Sequence, residues 1–409
     1  MINIKNSLNI PIYIVQCFLL LICLVSAALG RWMNYASIAA CFGIIILFIL
    51  KDKNVSISYT ELLFCCFLLI YAVLGNIIYN GNLVEVYLLL NYIVVILFFV
   101  FVKNKVGSMR FACIFLSLFC FFEAIFIIMQ EYAYGICVKF AYNIVGYASN
   151  RISGFMSDYS LSGYVVAIGI VVSYYFIKNK YVKFLSVLIN FWALLITTKR
   201  SHLLILLIGC VVIYFLTSKD KIRALIRFLI VFIFLLLVVL LYYYLNDNNN
   251  AVSRLIETAI GFFRGEDIDE LTSNRATIYE VAIGYWQSST TSIILGNGWG
   301  FFKNTFNVFD SIATAHNVYI QLLCETGLVG LIFFVIIELL ALYHNILNVI
   351  KIKDKKIKAY SVISLYIQIH FTLYCFFGSP LYDTVCLFYY VLAISFSEYI
   401  RYHCLKSNI

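Results

Sequence analysis

The chain has 409 residues, of which 64% are apolar and only 12% are charged. A soluble domain of this size could not cover its surface with so few charges, so the composition excludes a soluble globular protein and indicates an integral membrane protein. The aromatic share of 18% agrees with this interpretation, because tyrosine and tryptophan are enriched at membrane interfaces.

Apolar runs of about 17–22 residues, each long enough for a transmembrane helix, follow one another along the chain. These runs are 11–29, 33–50, 58–79, 83–102, 110–130, 160–177, 181–198, 201–217, 225–245, 318–343, 359–378 and 384–402. We predict an all-α integral membrane protein with about 12 transmembrane helices in one domain, residues 1–409. Only two prolines occur, Pro11 and Pro380, so we expect nearly all helices to run unbroken.

Basic residues orient the predicted helices. If the N-terminus is cytoplasmic, most of the 29 lysines and arginines fall in cytoplasmic loops, as the positive-inside rule requires. An even number of spans then places both termini in the cytoplasm. Membrane insertion therefore explains the net charge of +9, which does not indicate binding to nucleic acid.

One large polar loop, residues 246–317, separates the ninth predicted span from the last three. We expect this loop on the outer face, with short helices of its own. Loops of this length that lack extensive regular structure are usually functional. The loop and the outer turns near it are therefore where we expect a functional site.

Two adjacent cations, Lys199 and Arg200, stand on the predicted outer side within a Thr-Thr-Lys-Arg-Ser segment. One span ends there and the next begins almost at once, which leaves both charges near the lipid boundary. Ionisable groups in such places usually have a partner. Phosphate is the obvious one, because an arginine binds it through two parallel hydrogen bonds.

Two further cations on the outer side precede helical segments. Arg151 opens an Arg-Ile-Ser-Gly-Phe segment just before a span, and Arg275 begins a predicted short amphipathic helix. Ser273 or Asn274 can cap that helix, and an anion bound at its N-terminus would be stabilised by the helix dipole. The alternative is that these cations are solvated loop charges or lipid headgroup anchors.

The polar loop also contains a Leu-Gly-Asn-Gly-Trp-Gly run at 295–300 and an Asp-Ile-Asp sequence at 267–269. No strand–helix–strand unit surrounds the glycines, so we interpret them as a turn with positive φ values that folds the loop back over the membrane. The two aspartates could hold a divalent metal on a pyrophosphate. We favour a solvated acidic loop and predict no metal site.

The loop ends in Ala-His-Asn-Val-Tyr, which places His316, Asn317 and Tyr319 at the boundary between water and lipid. An imidazole has an ordinary pKa of about 6.5 and can take a proton from a hydroxyl at neutral pH. A lone histidine at an interface is also commonly structural, so its neighbours decide its role.

These motifs together resemble the O-antigen ligase/polymerase superfamily of bacterial membrane glycosyltransferases. The resemblance covers roughly residues 145–335 and is carried by Arg-x-Ser-Gly-Phe, Thr-Lys-Arg-Ser, Asn-Arg, Leu-Gly-x-Gly and Ala-His-Asn-x-Tyr followed by Glu-x-Gly-Leu-x-Gly. The His-Asn segment is the most specific of these motifs. The number of spans and the late large outer loop also match.

The resemblance implies a metal-independent, inverting transfer of a glycan from undecaprenyl pyrophosphate, with no cofactor. It implies that Arg200 and Arg275 hold the pyrophosphate and that His316 stands beside the acceptor. We expect further substrate contacts from a second set of residues, and whether Lys199 or Arg200 grips the phosphate stays open. That set is Arg151, Lys199, Asn274, Asn317 and Tyr319.

We therefore expect a polysaccharide polymerase in the bacterial cytoplasmic (inner) membrane, with its active site facing the periplasm. The expected partners are an undecaprenyl-pyrophosphate-linked oligosaccharide, membrane lipid and a chain-length regulator protein. The alternative is an O-antigen ligase that moves the finished chain onto lipid A core. A lipid-linked oligosaccharide flippase is less favoured, because transporters commonly contain paired repeats and broken helices.

The orientation of the chain can be tested with reporter fusions. Fusions within residues 246–315 should report an outer location, and fusions within residues 351–358 should report the cytoplasm, because lysines concentrate in the latter segment. As the control, each fusion protein is checked for full-length expression and for insertion into the membrane. A cytoplasmic signal from residues 246–315 would contradict an outer active site.

Overall fold

A computed structural model describes residues 57–77, 93, 96, 108–137, 152–156, 158–227, 230, 260–261, 264, 275–306 and 314–402. The predicted spans at 11–29 and 33–50, most of those at 83–102 and 225–245, and two predicted site residues, Arg151 and Asn274, lie outside these ranges. Helices are the regular elements throughout the described residues, where no strand occurs.

The helices, in chain order, are α1 (Tyr59–Ile77), α2 (Ser108–Tyr132), α3 (Tyr159–Phe176), α4 (Lys180–Ile196), α5 (Arg200–Thr217), α6 (Arg275–Trp286), α7 (Thr290–Leu295), α8 (Phe301–Phe306), α9 (Val318–Lys351), α10 (Lys355–Tyr374), a 3₁₀ turn (Pro380–Tyr382) and α11 (Thr384–Ile400). Each predicted span within the described ranges corresponds to a helix. The predicted short helix beginning at Arg275 is also confirmed.

Four helices in the described ranges are long and apolar enough to cross a membrane. They are Met109–Tyr132, Tyr159–Phe176, Arg200–Thr217 and Val318–Lys351. Shorter apolar helices occupy Tyr59–Tyr71 and Val385–Ile400. The described residues are thus all-helical, which is consistent with a helical membrane protein, and the number of about 12 spans and their orientation stay predictions.

Helix α3 lies at the centre of the bundle and packs against α2, α4 and α10. Its residues 161–173 are all buried. Glycines permit the close approach, because a Cβ at Gly163 would strike His202 and one at Gly169 would strike Asn190 and Cys120. Small residues of this kind let neighbouring helices pack closely in a membrane, where apolar burial alone gives little preference for protein over lipid.

Side-chain contacts show which helix ends lie together. Thr60 at the start of α1 and His344 near the end of α9 both bond to Glu398 near the end of α11, at 3.0 and 2.7 Å. Phe176 at the end of α3 contacts Tyr360 near the start of α10. This end of the bundle carries a concentration of basic residues. It includes Lys178, Lys180, Lys183, Lys219, Lys351, Lys353, Lys355, Lys356 and Lys358.

The opposite end, here termed the site end, brings together the start of α3, the turn 197–199, the end of α10 and the start of α9. Lys199 contacts Tyr159, and the amide of Val318 donates to the carbonyl of Cys375 at 2.8 Å. The lysine-rich turns and the site end therefore lie at opposite ends of the bundle. This separation agrees with the predicted orientation.

Helix α9 breaks at Gly327, whose φ of 65° is not helical. The break leaves two carbonyl groups of α9 without helical partners, and backbone amides of the glycine run bond to them. Asn297 N–H donates to the Cys324 carbonyl at 3.0 Å, and Gly298 N–H donates to the Glu325 carbonyl at 2.9 Å. Such pairing is needed because unpaired backbone groups in a membrane protein are costly. Helix α9 is an exception to the expectation that nearly all helices run unbroken, because glycine, rather than proline, interrupts it.

The glycine run forms the predicted turn, since Gly296, Gly298 and Gly300 have φ values of 78°, 100° and 79°. The backbone of Gly296 also lies directly against the backbone of Gly327. The broken helix and the glycine turn therefore fit together as two backbone surfaces that leave no room for side chains.

A Gly327→Ala substitution should destabilise the protein by about 1 kcal/mol or more, because alanine disfavours positive φ and its Cβ would clash with Ile294 and Gly296 backbone atoms. The measurement is thermal unfolding of the detergent-purified protein. Gly284→Ala is the matched control, since a Cβ at that helical position meets open space. Equal melting temperatures for Gly327→Ala and the wild type would contradict the docking of these two backbone segments.

Candidate active site

The turn between α4 and α5 is as tight as the sequence predicts. Helix α4 ends at Ile196 and α5 begins at Arg200. Thr197 caps the end of α4 by donating its hydroxyl to the Leu194 carbonyl at 2.8 Å, and Thr198 has a positive φ of 54°. Both cations therefore stand at the N-terminus of α5, where the helix dipole favours an anion.

Lys199 is held against an aromatic ring. Its Nζ lies 3.6 Å from the centroid of Tyr159, a cation–π contact that fixes the position of the ammonium. The pKa of Lys199 is lowered by burial, an effect that Tyr159 and Asp158 oppose and that the positive charge of Arg275 reinforces. Lys199 is therefore a partly desolvated cation close enough to Arg275 to be repelled by it.

Arg275 is placed by the packing of its own short helix. Ile278 and Ala282 of α6 are buried against the region around the start of α9, in an apolar cluster that also contains Phe302 and Ala315. The Nη1 atom of Arg275 donates to the carbonyl of Phe377 at 3.2 Å, just past the end of α10. Helix α6 and the end of α10 thus hold Arg275 at the site end.

His316 adopts an uncommon backbone conformation, with a positive φ of 52°. This left-handed conformation costs a non-glycine residue about 1–2 kcal/mol, and it persists only where neighbouring contacts hold it. The residues on either side supply these contacts. Ala315 N–H donates to the Gln321 side chain at 3.2 Å, and Val318 N–H donates to Cys375.

The side chain of His316 is exposed at the rim of the site, and the surrounding charges act on it. Partial burial lowers its pKa, the positive charges of Arg275 and Lys199 lower it further, and the negative charge of Asp158 opposes them. The neutral imidazole, which can accept a proton, is therefore favoured at neutral pH. The structure thus brings three predicted site residues, Lys199, Arg275 and His316, into one electrostatic group.

Asp158 belongs to this group, although its sequence pattern alone indicated no role for it. It caps α3 by accepting the Ser160 amide at 2.7 Å, and its exposed carboxylate acts on both Lys199 and His316. The available signal was a cap-forming aspartate at the start of a span, on the side predicted to be the outer one. Among the described groups that shift the pKa of His316, Asp158 is the negatively charged one.

Two predicted substrate contacts, Asn317 and Tyr319, make structural bonds in this structure. Asn317 caps α9 by accepting the amides of Tyr319 and Ile320 at 3.0 and 3.2 Å. The Tyr319 hydroxyl donates to Glu338 at 3.0 Å within the bundle. Both residues therefore set the start of α9 directly behind His316, and their contact with a substrate stays a prediction.

The segment 152–156 is packed into the bundle just ahead of α3. Gly154 N–H donates to Gln130 at 2.8 Å and Phe155 N–H donates to Glu123 at 3.0 Å, while the Phe155 ring stacks on Phe126 with centroids 4.0 Å apart. Gly154 has a φ of 61°. The Ser-Gly-Phe part of the motif thus anchors the chain between α2 and α3.

A chain of buried polar side chains lies beneath the Lys199–Arg200 turn. His202 Nδ1 is 3.0 Å from His370 Nε2, and His370 Nδ1 is 3.0 Å from the Tyr366 hydroxyl. Hydrogen bonds between helices of this kind hold membrane bundles together. They tie the first turn of α5, which carries Arg200, to α10.

Among the described residues, no group of three or more His, Cys, Asp or Glu side chains could hold a metal ion. Asp267 and Asp269, the two aspartates considered as metal ligands, lie outside the described residues. What the described site offers is a set of cations for an anionic group, next to a neutral imidazole that can accept a proton.

The electrostatic grouping predicts opposite pKa shifts at His316. Asp158→Asn should lower the pKa of His316, because it removes the negative charge that stabilises imidazolium; asparagine still caps α3. Lys199→Gln should raise the pKa, because it removes a repelling positive charge. The measurement is an NMR titration of ring-labelled histidines, with the His316 signal assigned from a His316→Gln sample.

Asp354→Asn is the control for this titration, since Asp354 caps α10 at the other end of the bundle. It should leave the His316 pKa unchanged. Shifts of the same sign in Asp158→Asn and Lys199→Gln would contradict the grouping.

Comparison with known protein families places a match on this part of the chain. Residues 185–335 match the family model described as O-antigen ligase. A search of curated proteins found no significant match. The matched segment contains Lys199, Arg200, Arg275 and His316, and it confirms the resemblance inferred from the motifs. Residues 185–335 are therefore similar to the O-antigen ligase family, and this similarity is consistent with the O-antigen ligase/polymerase superfamily.

Proposed function

We propose that the protein is a polysaccharide polymerase that joins undecaprenyl-pyrophosphate-linked oligosaccharide units at the outer face of the cytoplasmic membrane. The observation that supports this proposal most strongly is the grouping of Lys199, Arg275 and His316 at one end of the bundle. All three lie within the segment that matches the O-antigen ligase family. The remaining structure supplies the frame that positions them.

The cations would bind the pyrophosphate of the donor. Arg200 and Arg275 can each form two parallel hydrogen bonds with phosphate oxygens, and they remain charged at all physiological pH values. Negative charge builds up on the departing pyrophosphate as the glycosidic bond breaks. Cations already held in place by the fold stabilise that charge without further rearrangement.

The imidazole of His316 would act on the acceptor. A sugar hydroxyl of a second lipid-linked unit attacks the anomeric carbon from the face opposite the pyrophosphate, so the new bond has inverted configuration. The hydroxyl proton passes to His316, whose pKa is lowered by burial and by Arg275 and Lys199, so that it is neutral before the reaction. The lipid pyrophosphate leaves with the electron pair, and this reaction needs no metal.

An O-antigen ligase is the second candidate, because the matching family model carries that description. The same donor site and the same base serve either reaction, since the two differ in the acceptor. A polymerase would use a second lipid-linked unit, whereas a ligase would use lipid A core. For the polymerase, a chain-length regulator protein is a further proposed partner.

The decisive assay uses the purified protein in liposomes with lipid-linked repeat units. Arg200→Lys and Arg275→Lys should each lose activity severely, because lysine keeps the charge but lacks the planar fork of the guanidinium. Each lost contact should raise the activation free energy by about 2–4 kcal/mol. His316→Ala should lower the rate by roughly 10²–10⁴-fold and should leave donor binding intact. His316→Gln can orient a hydroxyl but cannot take its proton.

Gly284→Ala, on the outer surface of α6, is the control for expression and insertion. Polymer formed from lipid-linked units alone identifies a polymerase, and product that requires lipid A core identifies a ligase.

Activity should survive excess EDTA; loss with EDTA and recovery with Mg²⁺ would contradict the metal-independent reaction. Wild-type activity in both arginine variants would remove the pyrophosphate assignment, and wild-type activity in His316→Ala would remove the base.

A further inference from the structure

We propose that Gln321 is a positioning residue that holds His316 in its working orientation, and that the buried carboxylate of Glu325 fixes the orientation of Gln321. The proposal rests on the proposed function, because it assigns a residue that acts through His316. It concerns a different residue and a different experiment from those that test the donor site.

The backbone of His316 needs support from its neighbours. Its left-handed conformation, with φ at 52°, has to be held from both sides. On the C-terminal side, Val318 N–H bonds to Cys375 and the side chain of Asn317 caps the helix. On the N-terminal side, the amide of Ala315 donates to Oε1 of Gln321 at 3.2 Å. Gln321 therefore supplies the side-chain contact that holds the residue preceding His316.

The side-chain amide of Gln321 also has a defined direction. Its Nε2 donates to Oε1 of Glu325 at 3.2 Å, one helical turn further along α9. The Ala315 amide can only donate, so the carbonyl oxygen of Gln321 faces it, and the NH₂ group of Gln321 faces Oε1 of Glu325, which also accepts the Phe302 amide. Both side chains are buried, at 1% and 0% exposure. Water therefore cannot replace either partner.

Hydrogen bonds from two other segments hold the side chain of Glu325. Its carboxylate also accepts the amide of Phe302 at 3.2 Å and the hydroxyl of Tyr382 at 2.8 Å. Phe302 belongs to the short helix after the glycine turn, and Tyr382 belongs to the linker before α11. One buried carboxylate thus joins three separate segments of the chain. A continuous set of hydrogen bonds runs from the outer loop, through Glu325 and Gln321, to the backbone beside His316.

The consequence is a geometric one. A base has to stand within hydrogen-bonding distance of the proton that it takes, and a small misplacement reduces the rate even when the base itself is intact. Gln321 does not face the substrate, since it is buried in α9 behind the Ala315–His316 segment. Its effect on the reaction passes through the placement of His316.

The test is a double-mutant cycle in the reconstituted assay. Gln321→Met keeps the length of the side chain and removes both hydrogen bonds. It should lower kcat by about 10- to 100-fold and leave KM for the lipid-linked donor unchanged. In a His316→Gln background the same change should alter kcat by less than about 2-fold, because residues that act as a unit are not additive.

Gln368→Met is the matched control, because Gln368 is also a fully buried glutamine and lies in α10 rather than in α9. It should leave kcat unchanged in both backgrounds. Glu325→Gln is the conservative second variant. It keeps the shape of the carboxylate but allows the Gln321 amide to turn, so it should lower kcat by a smaller factor than Gln321→Met and only when His316 is present.

Hydrogen exchange provides a readout that does not depend on activity. Gln321→Met should abolish the protection of the Ala315 amide and should leave the Val318 amide protected by Cys375. An equal loss of kcat in the wild-type and His316→Gln backgrounds, or unchanged Ala315 protection, would overturn the proposal. If His316→Ala is fully active, the base assignment fails while the exchange measurement still decides whether Gln321 holds this segment.

Discussion

The docking of the glycine turn onto the broken helix α9 is the contact on which the rest of the site depends. The break at Gly327 leaves the carbonyls of Cys324 and Glu325 without helical partners, and the amides of Asn297 and Gly298 satisfy them. In a membrane protein this pairing is close to obligatory. It fixes the glycine run to α9, the helix that begins just after His316.

Once the loop is fixed, the charges of the site follow from the helix ends. The turn between α4 and α5 and the start of α6 carry Lys199 and Arg275 toward His316, and both cations disfavour its protonated form. Positive charges held this close together repel one another. A bound pyrophosphate would relieve that repulsion, which is why the arrangement suits an anionic donor and a neutral base at the same time.

Buried polar groups make this arrangement rigid. The pair His202 and His370 secures the turn below Arg200, while Glu325 joins α9 to α8 and to the linker before α11. In a low-dielectric interior such groups are costly unless they are paired. Their hydrogen bonds therefore specify a single packing of the bundle, and this single packing positions the exposed side chains of the site.

The sequence by itself determined the helical character and the helix positions in the described ranges, and the glycine turn, because apolar run length and glycine content are local properties. It also identified Lys199, Arg275 and His316 as candidates from their place at helix ends. Only the tertiary structure decided that these residues share one site, that Asp158 joins them and that Gln321 and Glu325 stand behind His316. The charge grouping depends on contacts between segments distant in the chain, which local patterns do not specify. Gln321 lies close to His316 in sequence, but its bond to Ala315 depends on the left-handed backbone at His316, which only the structure showed.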